Sequence, residues 1–547
     1  MADFRERYRK ITVLADRKTV NPLLCPDERV HVRVQGTKPD GTVEAISDEH
    51  VIYSVASTYT SNGCTVARMD TKGEVIPMEG GIASIRADVL VNGSLLSDTV
   101  RITVRPFHRE HHQVLSMKPF LAMEEGFAGG IRQDFKHDCL LTFEQMLEVV
   151  RGMDSLTRGI PKIVYLVGWQ KGGHDHLYPG WNEVNPRLKR AQDAEAVDSL
   201  RWLMREAGKY HTSISLHINQ NDAYDDSPLF KEYDRLGLIA RRKDGSYVTY
   251  DSYAGKRMYA ISHKREWDAG YAQKRIDGLL RMLPELVGAH AIHIDNYVAK
   301  IHGTDDPMDA YHGISVEEEQ EAIRKEMRYW RDKGIDVTSE GSYHGRWDPM
   351  IGLQPMTWWD LSFDPMEIPA SLYCGGRIGR LPGDPRFGDS MQAEDHLLRN
   401  VSHRVDLLTG FIDEFCITTL PWFYLNRLER LSFDGTAVQY SDGVIAATRN
   451  SWPYITRGSM VLRYANCVMV PLGWKAKREI IAYSDITVHL ANGLPDDWAG
   501  VERVDLYHLT KDGPVLKEKG CRVTGGKVTL NIIAREPLLV VPGGEPA

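Results

Sequence analysis

The chain has 547 residues, of which 42% are hydrophobic and 26% are charged. This composition is that of a globular protein and argues against an intrinsically disordered one. The formal net charge of -8 at pH 7 excludes a strongly basic surface, so nucleic acid is not expected as a partner. At about 150 residues per domain, the length predicts about three units, or fewer if one of them is a barrel.

The seven Cys residues are scattered along the chain and form no CxxC pair. They predict neither a disulfide framework nor a zinc site, and we expect buried free thiols. No apolar run reaches the about 18 residues of a membrane span, so no membrane partner is expected. The charged N-terminus is not followed by an apolar core, so the chain as it stands is predicted to be cytoplasmic, and secreted only if a signal peptide has been removed.

The region from about 9 to 106 alternates apolar and polar residues with a two-residue period, as in residues 30–34. Turn-forming residues such as Pro39-Asp40-Gly41 separate the short runs. This pattern predicts a small β-sandwich over residues 1–110. Residues 66–89 loosely resemble the bacterial immunoglobulin-like repeat, in which a strand, a glycine turn and a second strand follow in this order.

Four runs of apolar and β-branched residues in the central region each end abruptly in a polar, aromatic segment. They are residues 163–167, 213–219, 289–295 and 335–340. Buried parallel strands have this appearance where their C-terminal ends open into a site.

Amphipathic helical patterns separate these strands. They cover residues 191–210, 265–286 and 316–333, and less regular elements follow at 357–361, 406–412 and 416–420. Alternating strands and helices predict βα units, and we expect a (β/α)8 barrel over residues 111–434. A doubly wound open sheet is the alternative, but no glycine-rich phosphate loop supports it.

After about residue 434 the two-residue alternation returns, in residues 438–448, 468–483, 486–490 and 527–532. Turn sequences such as Lys511-Asp512-Gly513 fit hairpins between these runs. Residues 435–547 are therefore predicted to form a second β-sandwich. The fold class expected for the whole chain is α/β with flanking all-β domains.

Asp295 and Glu340 are the candidate catalytic residues. Each terminates an apolar strand, and one βα unit separates them, so we expect them on neighbouring strands about 4.8 Å apart. A retaining glycosidase needs two carboxyl groups about 5–5.5 Å apart, one to attack the anomeric carbon and one to protonate the leaving oxygen. Asp295 is then the nucleophile and Glu340 the acid/base, held protonated by partly buried, acidic surroundings. The alternative is that one of the two pairs with a cation or holds a loop.

Four strand-end motifs carry a family resemblance: GWQKGGHDHLYP, SLHINQNDAY, HIDNYVAK and VTSEGSYH. In this order they resemble the catalytic barrel of α-N-acetylgalactosaminidases that act on O-glycans, the endo-acting enzymes of glycoside hydrolase family 101 and their exo-acting relatives of family 129. The resemblance covers roughly residues 161–360. It implies Asp295 as nucleophile, Glu340 as acid/base, and His174 with Asp175 as readers of sugar hydroxyls. It also favours exo action or a diverged specificity, because the endo-acting members are longer.

Other polar and aromatic residues near the strand ends are candidates for substrate binding. Together with the loop pair, the set is His174, Asp175, Trp169, His217, Asn219, Asp222, Tyr297, Trp358, Trp359 and Asp360. The tryptophans suit stacking on a sugar face, and the polar groups suit hydrogen bonds to its hydroxyls. The alternatives are a loop brace for His174 and Asp175 and a buried, satisfied histidine for His217.

Metal ions are minor alternatives. The acidic segment 222–226 is a candidate for structural Ca²⁺, but it lacks the spacing of a known calcium loop, which favours solvated acids. His174, His176 and His217 invite a zinc interpretation, but their spacing suits no standard site and no HExxH motif occurs. No organic cofactor is expected.

The sequence thus predicts a retaining α-glycoside hydrolase with a carbohydrate or glycopeptide substrate, an α-linked N-acetylgalactosamine or a galactose-type sugar. One alternative is an α-galactosidase or α-glucosidase-like enzyme of the same barrel type. A carbohydrate-binding protein without turnover is the other, and the presence of both carboxylates argues against it. The sequence gives no indication of the oligomeric state.

Overall fold

The structure is a computed structural model that describes residues 8–57, 65–123, 141–253, 255–297, 308–342 and 405–545. Between them it describes 350, 352–355, 366, 384, 386–388, 390, 397, 400 and 401, and for 357–361 the backbone alone.

Two sheets form the N-terminal region. Their strands are β1 (Lys10–Ala15), β2 (Thr19–Val20), β3 (Val30–Thr37), β4 (Val43–Ile46), β5 (Ile52–Ser57), β6 (Ala67–Met69), β7 (Glu74–Pro77), β8 (Gly81–Val91) and β9 (Ser94–Val104). One sheet has the order β1-β3-β7-β6 with β4 beside β3, and the other has the order β2-β9-β8-β5. Alternation along β3 turns Val30, Val32 and Val34 inward, where they share one core with Ile85 and Ile102 of the second sheet. The predicted β-sandwich is therefore present.

The central region contains nine further strands. They are β10 (Leu115–Met117), β11 (Lys162–Leu166), β12 (Thr212–Ile218), β13 (Asp222–Ala223), β14 (Thr249–Tyr253), β15 (Lys256–Ala260), β16 (Ala291–Ile294), β17 (Asp336–Ser342) and β18 (Thr357–Leu361). Six of them form a parallel sheet in the order β10-β11-β12-β16-β17-β18. A doubly wound sheet reverses its strand order at a switch point, so this unbroken chain order favours the barrel.

The predicted (β/α)8 barrel is only partly seen, because the described residues contain six parallel strands and do not show closure. The short strand β10 precedes the first strand that the sequence predicted. The run that ends at Gly168 is therefore the second strand, and the strands that lead to Asp295 and Glu340 are the fourth and fifth.

Helices cover the strands where the amphipathic patterns predict them. They are α1 (Phe143–Leu156), α2 (Ala196–Ala207), α3 (Phe230–Leu236), α4 (His263–Asp268), α5 (Tyr271–Met282), α6 (Leu286–Ala289), α7 (Val316–Asp332), α8 (Phe411–Glu414) and α9 (Leu420–Leu425). Along α7, Ile323, Met327 and Trp330 are buried at helical spacing, as predicted. The pattern at 265–286 is divided into three helices, with Gly270 at a φ of 74° between α4 and α5. The later elements at 406–412 and 416–420 are turns and helix, not strands.

Twelve antiparallel strands form the C-terminal sheet. They are β19 (Arg430–Phe433), β20 (Ala437–Tyr440), β21 (Val444–Arg449), β22 (Trp452–Arg457), β23 (Met460–Tyr464), β24 (Cys467–Pro471), β25 (Ile480–Ser484), β26 (Val488–Gly493), β27 (Arg503–Thr510), β28 (Gly513–Thr524), β29 (Lys527–Ile532) and β30 (Leu538–Pro542). Val438 on β20 and Leu530 on β29 stand far apart in strand order but share one hydrophobic core. The sheet therefore folds over itself like a sandwich, as predicted.

The four cysteines that the structure describes, Cys25, Cys416, Cys467 and Cys521, are free thiols. Cys416 is buried as expected, whereas Cys25 is exposed. No helix within the described residues is long and apolar enough to cross a membrane. The domain boundaries at residues 110 and 434 stay predictions.

Candidate active site

Asp295 and Glu340 lie side by side at the C-terminal end of the parallel sheet. Strands β16 and β17 are in register with Ile294 opposite Ser339, so the next residue on each strand is one of the two carboxylates. Only 8% of Asp295 and 4% of Glu340 is exposed. The Asp295 N–H donates to the Ile218 carbonyl at 2.8 Å, which extends the ladder between β12 and β16 to this position.

The surroundings of the Asp295 carboxyl group favour its protonated form. Burial, the charge of Glu340 and the charge of Asp175 raise its pKa to about 7, against the opposing effects of His217 and Lys118. Two neighbouring carboxyl groups cannot both ionise easily in a buried site. Asp295 is therefore expected to be protonated for part of the time near neutral pH.

Glu340 contacts a cation that the sequence analysis missed. The Lys118 ammonium, directly after β10, donates a hydrogen bond to Glu340 Oε1, and both side chains are almost fully buried. His293 Nε2 lies 3.6 Å from the same oxygen. The prediction that Glu340 has acidic surroundings is thus wrong in part, because an ammonium group contacts it.

Three buried imidazoles form a row beneath the carboxylates. The ring centroids of His174 and His217 are 5.4 Å apart, and those of His217 and His293 are also 5.4 Å apart. Burial lowers the pKa of His174 to about 4, and burial together with Lys118 and His217 lowers the pKa of His293 well below its usual range. Burial opposes protonation of His217 too, but the neighbouring Asp175 carboxylate and the charge of Asp295 raise its pKa. The imidazolium form is therefore more favoured at the middle ring than at the two outer ones.

The tautomer of His293 follows from its neighbours. Thr338 Oγ1 donates to the Ile292 carbonyl at 3.2 Å, so the hydroxyl is free to accept from His293 Nδ1–H at 3.0 Å. Nε2 then carries the lone pair that faces Lys118 and Glu340. His293 acts here as a neutral imidazole.

The loop after β11 places Asp175 against this row. Asp175 adopts a left-handed φ of 45°, and its carboxylate lies 3.3 Å from His174 Nε2 and 3.8 Å from His217 Nε2. His176 does not join this group, because it pairs with Asp226 at 3.1 Å. The structure thus gathers His174, Asp175 and His217 near the carboxylates, and their binding of sugar hydroxyls stays a prediction.

Asn219 and Asp222 also lie at this end of the sheet. Asn219 Nδ2 donates to Asp222 Oδ2 at 2.7 Å and is 3.4 Å from Asp295 Oδ2. Its Oδ1 accepts the backbone N–H groups of Asn221 and Asp222. Asn219 therefore braces its own loop and touches the carboxylate pair. The side chains of Trp358, Trp359 and Asp360, on the neighbouring strand β18, lie outside what the structure describes.

Two aromatic candidates do not line a pocket. Trp169 has no exposed surface, and its Nε1–H donates to the His217 carbonyl at 2.9 Å. Tyr297 is equally buried, and its hydroxyl donates to Glu326 on α7. The prediction that these two residues bind the sugar is therefore wrong for this structure. Both hold the sheet and its covering helices together.

Two groups of ligand-type side chains occur within the described residues, each with its ligand atoms within 4.8 Å of one another. One is His174 and Asp175 of the loop after β11 with His217 of β12. The other is His263, Glu266 and Glu326, in which Glu266 already pairs with Arg275 at 2.8 Å. In the acidic segment, Asp222 and Asp226 have different partners, so it gathers no converging set of calcium ligands.

His293 was detectable in principle, because it stands inside an apolar strand, where a polar residue needs a reason. Lys118 was not, because it follows a strand of only three residues, which is too short for a period to be recognised.

Comparisons with known proteins agree with the strand-end motifs. Residues 123–344 match the model of glycoside hydrolase family 101, described as endo-α-N-acetylgalactosaminidase. The chain is also similar to solved structures of α-N-acetylgalactosaminidase NagBb from Bifidobacterium bifidum. The ligand-free form is 11% identical, with a TM-score of 0.42 over 80% of this chain and 90% of that chain. The Gal-NHAc-DNJ complex is 10% identical, with a TM-score of 0.45 over 82% and 92%.

A further similarity is to the GH36 α-galactosidase AgaB from Geobacillus stearothermophilus. It is 10% identical, with a TM-score of 0.36 over 99% of this chain and 73% of that chain. The segment that matches the family model contains both carboxylates and the loop with His174 and Asp175. The resemblance is confirmed for this segment: residues 123–344 match the endo-α-N-acetylgalactosaminidase family model.

Proposed function

We propose that the protein is a retaining glycoside hydrolase that cleaves α-linked N-acetylgalactosamine, with Asp295 as nucleophile and Glu340 as acid/base. The observation that carries this proposal is the register of β16 and β17, which sets two buried carboxyl groups side by side within the matched segment. Retention requires such proximity, because one carboxylate must reach the anomeric carbon while the other reaches the leaving oxygen.

The proton on Asp295 must leave before this carboxyl group can attack. In the free site the charge of Glu340 helps to keep the proton on Asp295. Transfer of that proton to Glu340 removes the repulsion and leaves Asp295 ionised, with Lys118 and His217 as cations that favour its charge. This second arrangement is the reactive one, because it provides a nucleophile and a general acid together.

The reaction then has two steps. Asp295 attacks the anomeric carbon through an oxocarbenium-like transition state while Glu340 gives its proton to the leaving oxygen. Glu340, now a carboxylate, takes a proton from water, which attacks the same carbon and releases Asp295. Asp175, supported by His174 and His217, is placed to accept hydrogen bonds from sugar hydroxyls.

The first experiment measures hydrolysis of p-nitrophenyl α-N-acetylgalactosaminide beside the matching α-galactoside and α-glucoside. We expect release from the first substrate, and a loss of at least about 10³-fold in kcat for Asp295→Asn and Glu340→Gln. The control is Glu317→Gln, an exposed acid on α7. Release of another sugar that depends on Asp295 supports the α-galactosidase or α-glucosidase alternative.

No release from any aryl glycoside leads to glycopeptide substrates with a disaccharide, which test endo action. Binding of such a glycan without turnover supports the carbohydrate-binding alternative and contradicts the proposal. The released sugar, followed by NMR before it mutarotates, must be the α anomer if the configuration is retained.

Azide separates the roles of the two carboxylates. With Asp295→Ala, azide is expected to replace the nucleophile and give a β-glycosyl azide. With Glu340→Ala, it attacks the covalent intermediate and gives the α-glycosyl azide. The opposite pattern would show that Glu340, which contacts Lys118 in the free site, is the nucleophile.

A further inference from the structure

One side chain binds two backbone carbonyls of the turn that carries Asp295. After β16, Asn296 adopts a left-handed φ of 45°, so the backbone changes direction at the carboxylate. Asn221 Nδ2 donates to the Asp295 carbonyl at 3.0 Å and to the Asn296 carbonyl at 2.9 Å. One amide group therefore clamps two consecutive carbonyls of this turn.

Asn221 is itself fixed on its other side. Its Oδ1 accepts a hydrogen bond from His263 Nε2–H at 3.1 Å, and its backbone N–H donates to Asn219 Oδ1 at 2.8 Å. Asn221 and His263 are each only 1% exposed. With both ends of its buried amide bound, Asn221 has one stable orientation.

Two glutamates of helix α7 hold His263 in place. Glu326 Oε2 lies 3.4 Å from His263 Nδ1, and Glu319 Oε2 accepts the His263 backbone N–H at 2.8 Å. Glu326 also accepts hydrogen bonds from Gln220 at 2.9 Å and from the Tyr297 hydroxyl, which fixes its position. The relay therefore runs from an outer helix to the catalytic turn through groups that are all buried.

The charges around His263 favour its imidazolium form. Burial opposes protonation, but Glu326, Glu319 and Glu266 raise the pKa of His263. Glu266, which is on the same helix as His263, is balanced by Arg275 of α5. A protonated His263 carries a hydrogen on each nitrogen, so Nε2–H donates to Asn221 while Nδ1–H faces the Glu326 carboxylate at 3.4 Å.

We propose that Asn221 and His263 are positioning residues, which transmit the rigidity of α7 to the Asp295–Asn296 turn and so aim the Asp295 carboxylate at the substrate. The proposal rests on the proposed role of Asp295 as nucleophile. A displacement of about 1 Å at a reacting group lowers a rate about 10²-fold, so we expect loss of this clamp to affect the chemical step.

The kinetic test compares variants that remove or keep each hydrogen bond. Asn221→Ala is expected to lower kcat about 10²-fold and to change KM less than about threefold. His263→Leu removes the donor to Asn221 and is expected to lower kcat to a similar extent. His263→Gln keeps a donor at the same place and is expected to retain about a tenth of the wild-type kcat or more. His290→Gln is the matched control, because His290 is exposed at the end of α6.

Equal losses of kcat in His263→Gln and His263→Leu would show that the hydrogen bond from His263 to Asn221 does not affect the rate, and would overturn the proposal. A role in folding alone would lower the thermal midpoint and the folded fraction but leave kcat per folded molecule unchanged, and this result would also overturn the proposal.

A spectroscopic readout does not need turnover. In protein labelled with ¹⁵N-histidine, the His263 signals, assigned with His263→Gln, are expected to be those of an imidazolium at neutral pH. They are expected to shift to the neutral form in Glu326→Gln. A His263 in the wild type that carries no proton on Nε2 would overturn the relay. If the wild type hydrolyses no glycoside but these signals are as expected, the proposed function fails and the hydrogen-bonded relay stands.

Discussion

Asp295 shows how one buried carboxyl group links catalysis to stability. Burial and the charges of Glu340 and Asp175 raise its pKa to about 7 from the ordinary 3.8, against the opposing effects of His217 and Lys118. The cost of ionising Asp295 in the folded protein is therefore present at the pH where it must act. This is typical of active sites, where charged groups are arranged for reaction rather than for stability.

Asp295→Asn is expected to stabilise the protein in a pH-dependent way. A carboxyl group with a raised pKa in the folded state binds more protons there than in the unfolded chain, so its contribution to stability is lost as pH rises from 3.8 towards 7. At about pH 8 the variant is expected to be more stable than the wild type, by on the order of 2–4 kcal/mol. Below about pH 4 this difference is expected to disappear.

Thermal unfolding at about pH 8, 6 and 4 measures this difference. Asp244→Asn serves as the control, because Asp244 is an exposed turn residue. A stability difference that is equal at all three pH values would contradict the raised pKa of Asp295.

At the level of elements, the strand ends were predictable because burial and register act on contiguous residues. An apolar run that stops at a carboxylate marks both the strand and its end, and the parallel order then brings Asp295 and Glu340 together. The two-residue alternation of side-chain direction along a strand does not continue beyond its end. Tyr297 follows the left-handed Asn296, and Trp169 follows Gly168 at a φ of 77°, so each side chain turns into the core instead of the site.

The contacts of the site depend on residues far apart in the chain, which periodicity does not relate. Lys118 reaches Glu340 across 222 positions, and Gln220 reaches Glu326 across 106. The sequence therefore predicted that the two carboxylates and the loop with His174 and Asp175 lie together, but it did not predict the cation beside Glu340 or the hydrogen bonds from α7. The loop after β16 and most residues between β17 and α8 lie outside the described residues.

Helix α7 owes part of its stability to its first turn. Ser315 caps the helix by accepting the Glu318 N–H at 3.2 Å, and the Glu318 carboxylate accepts the Ser315 N–H at 2.9 Å. Ser315→Ala is expected to destabilise the protein by about 1 kcal/mol, whereas Ser315→Asp keeps an acceptor and is expected to change stability by less than about 0.5 kcal/mol. Urea unfolding followed by tryptophan fluorescence measures both. A similar loss in the two variants would show that the cap is not the cause.

At the scale of the whole molecule, the C-terminal sheet shares a hydrophobic core with the parallel-sheet region. Leu509, Leu539 and Val541 of this sheet belong to the same hydrophobic cluster as Met146 and Val150 of α1. Ser155 also donates to the Thr510 carbonyl at 2.7 Å. The sheet therefore covers apolar surface of the catalytic region, and we expect the two to unfold together.

The Arg158–Glu479 ion pair tests this coupling directly, because it joins the end of α1 to the C-terminal region. The two groups form hydrogen bonds at 2.9 and 3.0 Å, and the Glu479 side chain is only 2% exposed. Removing one partner leaves the other charge buried without compensation, so Glu479→Gln and Arg158→Met are each expected to destabilise the protein by about 3–5 kcal/mol. The double variant removes both charges and is expected to lose less than the sum of the two.

Thermal unfolding of the wild type, the two single variants and the double variant completes this double-mutant cycle. Activity is the second measurement and reports on the parallel-sheet region. Coincident loss of activity and of C-terminal structure in every variant is the expected result, because the interface belongs to one core. If the C-terminal sheet melts first and activity survives, the two regions are separate folding units, and the sheet is then a dispensable cover for the barrel.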